Sequence, residues 1–145
     1  MTNKPVIGRL KILLADSYSL YLKTQNYHWN VTGPHFKSLH ELFEAQYNDL
    51  AAAVDEIAER IRALGEKAPG SWQAFESLST IQSGDENANA TTMLQDLIKD
   101  QDVLIKTLRD VLEASQNVGD EATSGLVTDR MMVHEKAKWM LASSL

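Results

Sequence analysis

The amino-acid sequence predicts an all-α protein: one bundle of four long helices, paired as two hairpins and joined by a single long crossover. Three observations predict this. Apolar residues recur at three- and four-residue spacing along nearly the whole chain. The seven glycines and three prolines gather mostly between those periodic stretches, where they interrupt helices. Two of the three intervening segments are short, and the third runs to about two dozen residues. With 145 residues, 43% of them hydrophobic, the chain has the size of one ordinary domain and enough apolar side chains for a core. Residues 1–145 are read as a single domain.

The first helix begins near Pro5, a residue favoured in a first turn, and runs to about Asn30. Leu10, Leu14, Tyr21 and His28 share one of its faces, and Val31-Thr-Gly-Pro34 breaks it. The second runs from about His35 to Leu64 and stops before Gly65. The third spans about Asn89 to Gln116, with Met93, Leu94, Leu97, Leu104, Leu108 and Val111 spaced for a buried stripe. Val118-Gly119 turns the chain. The fourth runs from about Asp120 to Ala142 and is expected to bury Leu126, Val127, Val133, Ala137, Met140 and Leu141. Short turns make the first and second helices, and the third and fourth, antiparallel neighbours. The segment from Gly65 to Ala88 is long enough to travel the length of the bundle, and Ser71 to Leu78 can form a short helix within it. Two hairpins joined by one long crossover is the ferritin-like arrangement.

Composition narrows the chemistry. Cysteine is absent, which removes disulfides and thiol catalysis and leaves metal binding to His, Asp and Glu. No run of eighteen apolar residues offers a membrane-spanning helix, and the first residues lack an apolar signal segment, so a cytoplasmic protein is expected. A formal charge of −6 disfavours a general affinity for nucleic acid, since phosphate binding needs clustered Lys and Arg. A net acidic surface instead draws in cations.

The metal candidates lie on the second helix. At about 100° per residue, His40, Glu44, Asp55 and Glu59 fall within a stripe roughly 100° wide. Its ends lie ~28 Å apart at the helical rise, so the four cannot share an ion within one chain. However, the pairs His40/Glu59 and Glu44/Asp55 are centred on the same point, between residues 49 and 50. A two-fold axis there would set a second copy antiparallel and bring His40 to its Glu59 and Glu44 to its Asp55, as an isologous interface does. His28 can join through the Gly33-Pro34 turn. Two imidazoles and two carboxylates suit iron, zinc or manganese, and Glu44 could bridge or hold a second ion. The Glu-x-x-His pairs with which many ferritin-like bundles hold iron in their own core are missing from this chain. The plainer alternative is surface pairing of Glu59 with Arg60 or Arg62 and a core role for the histidines. Tyr18, Tyr21, Tyr27, Trp72, Trp139 and the five methionines read as core or interface packing. His35 reads as a helix-start residue and His134, among Glu135, Lys136 and Lys138, as a surface residue.

The segment Lys23-Thr-Gln-Asn-Tyr-His-Trp-Asn-Val-Thr-Gly-Pro-His-Phe-Lys-Ser-Leu-His40, continuing Glu-Leu-Phe-Glu-Ala-Gln-Tyr47, and the run Asp55-Glu-Ile-Ala-Glu-Arg60 resemble the Dps mini-ferritin family. The helical plan is similar over essentially the full length. The resemblance implies twelve subunits in a hollow shell, with an iron-oxidising site at each dimer two-fold. It implies His28 and His40 as ligands from one subunit, Asp55 and Glu59 from its neighbour, Glu44 as a further carboxylate, and Trp29 as an aromatic beside the site that takes part in oxidant chemistry. Two Fe(II) per site would be oxidised by hydrogen peroxide, or by oxygen, and Fe(III) stored as mineral in the cavity. Zinc or manganese could substitute for iron. The resemblance also implies three-fold pores near the start of the fourth helix, where Asp120, Glu121 and Asp129 are the candidate acids, while Gln116 and Gly125 stand where some relatives carry acids. Acids at a helix start also complement its dipole. Glu41 is a candidate to seed mineral inside the shell.

DNA binding in that family commonly uses a flexible Lys-rich tail. The N-terminal arm here offers only Lys4 before Pro5, and the last residues, Ala-Ser-Ser-Leu, carry no basic side chain. Multiplied over a shell, the net negative charge repels phosphates. Weak or absent DNA binding is therefore expected. An electrophoretic mobility shift at low salt with stoichiometric protein checks this, and the expected outcome is no retardation of the DNA.

Overall fold

The structure, a computed structural model, describes residues 2–145. Its helices are α1 (Lys4–Asn30), α2 (Phe36–Ala63), the short α3 (Trp72–Leu78), α4 (Ala90–Asn117) and α5 (Glu121–Ala142). Each begins and ends within a residue of the sequence expectation. α1 packs along α2 and α4 along α5 to form the two hairpins, α1 lies against α4, and α3 rests on α1. None of the described helices is long and apolar enough to cross a membrane.

Local chemistry sets the helix ends. The side chains of Ser71, Asn89 and Asp120 each accept a backbone N–H at the starts of α3, α4 and α5, relieving donors that have no partner inside the helix. α2 and α4 close with the same device. Gly65 (φ 104°) and Gly119 (φ 71°) adopt left-handed backbone, and paired bonds run from Gly65 to Arg62 and Glu66 to Ile61, and from Gly119 to Gln116 and Asp120 to Ser115. This is the Schellman arrangement, for which glycine carries no steric penalty.

All six residues expected to form the α4 stripe are buried. α5 departs from expectation. Its buried residues are Thr123, Val127, Arg130, His134 and Leu141, a face rotated by roughly 50° from the apolar stripe read in the sequence. Val133 and Met140, expected inside, are exposed, as are Met132 and Trp139. His134, expected on the surface, is buried.

Polar bonds explain the rotation. Arg130 donates to both carboxylate oxygens of Asp49 on α2, at 3.1 and 2.8 Å. It also donates to His134 Nε2 at 2.9 Å. His134 Nδ1 in turn donates to Gln101 Oε1 on α4 at 2.7 Å. Guanidinium only donates, so His134 must be the neutral tautomer with its proton on Nδ1. Burial first, and the neighbouring Arg130 charge second, push its pKa down to about 3.

The crossover is fastened at Asp16, which is fully buried on α1. Its carboxylate accepts the Thr80 backbone N–H at 2.6 Å and the hydroxyls of Thr80, Thr107 and Ser79 at 2.8, 2.8 and 3.1 Å. One side chain thus ties α1, the chain after α3, and α4.

Two outcomes follow. Asp16→Ala strands four donors and is expected to lower stability by about 3 kcal/mol or more, read as a lower unfolding midpoint in urea. His134 binds a proton in the unfolded chain near its ordinary pKa of about 6.5 but not in the folded one. Stability therefore falls as pH drops from about 6.5 toward 3, by up to ~1.4 kcal/mol per pH unit from this group. His134→Gln is expected to flatten that slope in urea unfolding at pH 7 and pH 5.

Candidate metal centre

The sequence turns sharply between α1 and α2, with Gly33 at φ 115°, so the last turn of one helix meets the first turn of the next. This brings His28 against His40. His28 Nδ1 donates to the His40 backbone oxygen at 2.7 Å, and His40 Nδ1 donates to the His28 backbone oxygen at 2.7 Å. The His28 carbonyl lies in the final turn of α1, where no helical N–H reaches it. The rings stack with centroids 3.8 Å apart and planes 12° from parallel.

This clasp decides the tautomers. A carbonyl only accepts, so each Nδ1 carries a proton, and the nitrogen left to bear a lone pair is Nε2. Orientation of a ring by a bond from its other nitrogen is how proteins prepare histidine for a metal. A lone pair lies in its ring plane, and nearly parallel planes 3.8 Å apart do not converge on a point about 2 Å from both nitrogens. As oriented, the two rings cannot both turn an Nε2 lone pair onto one point.

Two aromatic rings frame the clasp. Phe36 stacks on His40 at 4.9 Å, and Tyr47 meets His28 edge-on at 5.2 Å. Sequence reasoning missed both as site residues. Helical spacing held the signal, since Phe36 stands one turn before His40 and Tyr47 two turns after it on the same face.

The carboxylates are not brought to the histidines within one chain. Glu44, Asp55 and Glu59 are exposed on α2. Among the described residues, no three His, Asp or Glu side chains gather closely enough to hold an ion. Asp55 instead lines a groove with Ala51, Val54, Ala58 and Trp72. Glu59 has no ion pair with Arg60, whose guanidinium donates to Asp120 and Thr123 at 2.9 Å each. Trp29 follows His28 and is largely exposed.

Of the candidate pore acids, Asp120 is fully engaged. It caps α5 through the Thr123 N–H at 3.0 Å, accepts the Thr123 hydroxyl at 2.5 Å, and pairs with Arg60. Partial burial pushes its pKa up, but those Thr123 bonds and the Arg60 charge outweigh it and hold the carboxyl below its ordinary range. Glu121 and Asp129 are exposed, as is Glu41.

Comparison with known proteins agrees with the fold. The family model described as a ferritin-like domain matches residues 7–145. The chain is 43% identical over 141 residues to a low temperature-induced protein of Nostoc, covering 95% of this chain and 78% of that one. It is 38% identical over 143 residues to DNA protection during starvation protein 2 of Bacillus anthracis, covering 99% and 98%. The crystal structure of a Dps protein from Vibrio cholerae, described as one of a broad superfamily of ferritin-like diiron-carboxylate proteins, superposes with a TM-score of 0.93 at 33% identity, covering 97% of this chain and 89% of that one. The chain belongs to the Dps family of ferritin-like proteins.

Proposed function

We propose that this protein oxidises Fe(II) with hydrogen peroxide at sites shared between two subunits and stores the Fe(III) in the cavity of a twelve-subunit shell. Family membership ties the chain to iron storage and protection; the residue assignment rests on its own side chains. The observation that carries it is the His28–His40 clasp, which prepares two Nε2 donors beside a helix whose outward face presents Glu44, Asp55 and Glu59.

In this reading a second copy lies antiparallel across α2, with the two-fold beside Asp49 and Leu50. His28 and His40 of one subunit then face Asp55 and Glu59 of the other, and each dimer carries two equivalent sites. The near-parallel rings favour two Fe(II) per site, one taken by each Nε2, with carboxylates between. Glu44 completes or bridges the set. Imidazole suits the ferrous ion and carboxylate the ferric product, so the ligand set tolerates oxidation and then releases ferric iron to the oxygen-rich interior. Two Fe(II) and one peroxide give two Fe(III) and two waters with the uptake of two protons, and no hydroxyl radical is released. Trp29 stands beside the site, where it can intercept a stray oxidising equivalent. Zinc or manganese fits the same donors.

Exposed apolar side chains on α5, Met132, Val133, Trp139 and Met140, support self-association, because such surface is covered where subunits meet. Asp120, Glu121 and Asp129 are the acids proposed for a pore, Asp120 also capping α5 and pairing with Arg60. The net charge of −6 favours iron handling over DNA condensation, and the cytoplasm is the proposed location.

The test is stopped-flow oxidation. Protein loaded anaerobically with two Fe(II) per site is mixed with peroxide or with oxygen, beside Asp55→Asn, an exposed and isosteric change. Fast oxidation by peroxide is expected in the wild type, slowed at least about tenfold in the variant, with the same assembly by analytical ultracentrifugation. Equal traces would reduce the α2 acids to a polar interface.

A further inference from the structure

A continuous row of aromatic rings runs along the seam between α1 and α2 and ends on α3. It starts at His28, which meets Tyr47 at 5.2 Å and 64°. Tyr47 meets Tyr21 at 5.8 Å and 65°, Tyr21 meets Tyr18 at 5.7 Å and 68°, and Tyr18 meets Trp72 at 5.7 Å and 76°. Every contact is edge-to-face. Phenylalanine would fill the same seam without a hydroxyl to satisfy, yet three of these positions are tyrosine. The far end matters most. Tyr18 and Trp72 line a groove of about 620 Å³ together with Ala51, Val54, Ala58 and Asp55.

Asp55 belongs, on the ferroxidase reading, to the other metal site of the dimer. One end of the row therefore touches the histidine that serves one site, and the opposite end lines the groove holding the carboxylate that serves its twin. His40 and Asp55 are fifteen residues apart on one helix, which sets the two sites about 22 Å apart. That is too far for one efficient electron step, whereas the row divides it into contacts between neighbouring rings. The two-fold supplies a second, antiparallel row.

We propose that this row is an electron relay joining the two metal sites of a dimer, so that two half-filled sites act as one two-electron reductant toward hydrogen peroxide. The proposal rests on the ferroxidase reading and adds to it. At a site holding a single Fe(II), that ion gives one electron and becomes Fe(III). The second electron comes from Tyr47, which also loses its phenolic proton. The vacancy passes through Tyr21 and Tyr18 to the Trp72 indole and is filled by Fe(II) at the twin site, which becomes Fe(III). Each tyrosine gives up its phenolic proton as the vacancy arrives and takes it back as the vacancy moves on, so no net proton is lost along the row. At the peroxide, the O–O bond breaks and two electrons and two protons complete two waters. The sum is unchanged from a filled site: two Fe(II), one peroxide and two protons give two Fe(III) and two waters.

The experiment uses the assembled protein loaded anaerobically with one Fe(II) per site and mixed with peroxide. Three quantities are read: Fe(III) formed per peroxide, radicals by freeze-quench electron paramagnetic resonance, and hydroxyl radical by spin trapping. Wild type is expected to form two Fe(III) per peroxide, with a transient tyrosyl signal and no hydroxyl adduct. Tyr21→Phe keeps the ring and removes the phenol from the middle of the row. It is expected to bind Fe(II) as wild type does in an anaerobic titration, yet to consume one peroxide per Fe(II), trap hydroxyl radical and change the tyrosyl signal. Tyr18→Phe is expected to do the same, which guards against a local folding defect in one variant. If both variants match wild type in stoichiometry and radical signal, the relay is overturned. Should wild type itself show no peroxide-dependent oxidation at one or two Fe(II) per site, the ferroxidase reading falls and the relay with it.

Discussion

An α-helix cannot fold back on itself, and the proposed functional layout of this protein follows from that constraint. α2 has 28 residues, a rod of about 42 Å, with His40 near one end and Asp55 and Glu59 near the other. No rearrangement short of breaking the rod brings those groups together in one chain. Much of the subunit holds the rod in place. The His28–His40 clasp fixes its first turn to α1, and the Asn3 side chain donates to the Leu64 carbonyl at its far end at 3.2 Å. Arg130 grips Asp49 at the middle, beside the point where a two-fold must fall if the ligand sets are to be completed by a second copy. A grip there controls the rotation of the helix, which decides whether its acids face a partner.

The clasp itself turns a structural need into a chemical one. Helix ends leave carbonyls without partners, and an imidazole N–H satisfies the one on His28. The same bond leaves the other nitrogen with its lone pair. On the proposed reading, backbone satisfaction and metal readiness are one interaction, and it needs no acid from its own chain. Phe36 and Tyr47 close around the rings and restrict their rotation, which is how an aromatic wall lends precision to a site on a helix end.

Buried polar groups specify this bundle as much as its apolar core does. The α5 helix is apolar on more than one face, so hydrophobicity alone leaves its rotation ambiguous. The chain Asp49–Arg130–His134–Gln101 removes the ambiguity, because Arg130 and His134 satisfy their hydrogen bonds only when turned inward, and an unpaired buried donor or charge is costly. Met132, Trp139 and their neighbours are turned outward as a result, toward the surfaces that the proposed shell would bury. Asp16 plays the comparable part for the crossover, whose few apolar anchors, Phe75 and Ile81, would not by themselves set its path.

Helix number, helix limits and the crossover were legible in the sequence, because periodicity, caps and glycine stops act over a few residues and leave local marks. The shared face of His40, Glu44, Asp55 and Glu59 on α2 was legible too, since regular helical geometry converts sequence spacing into angle and distance. The stripe on α2 needed only residue numbers. What the sequence hid was every outcome that depends on a distant partner. His134 stands among charged neighbours and looked solvated, but its environment is Arg130 on its own helix and Gln101 on another. The rotation of α5 was lost for the same reason, as was the pairing of Asp120 at the start of α5 with Arg60 on α2. The tyrosines looked like scattered packing residues until two helices interleaved them into one row. Local rules determined the elements and the spacing of the His and acid residues along α2. Only tertiary structure decided which polar groups turn inward and which aromatic rings touch, because those choices are made by hydrogen bonds and contacts between residues far apart in the chain.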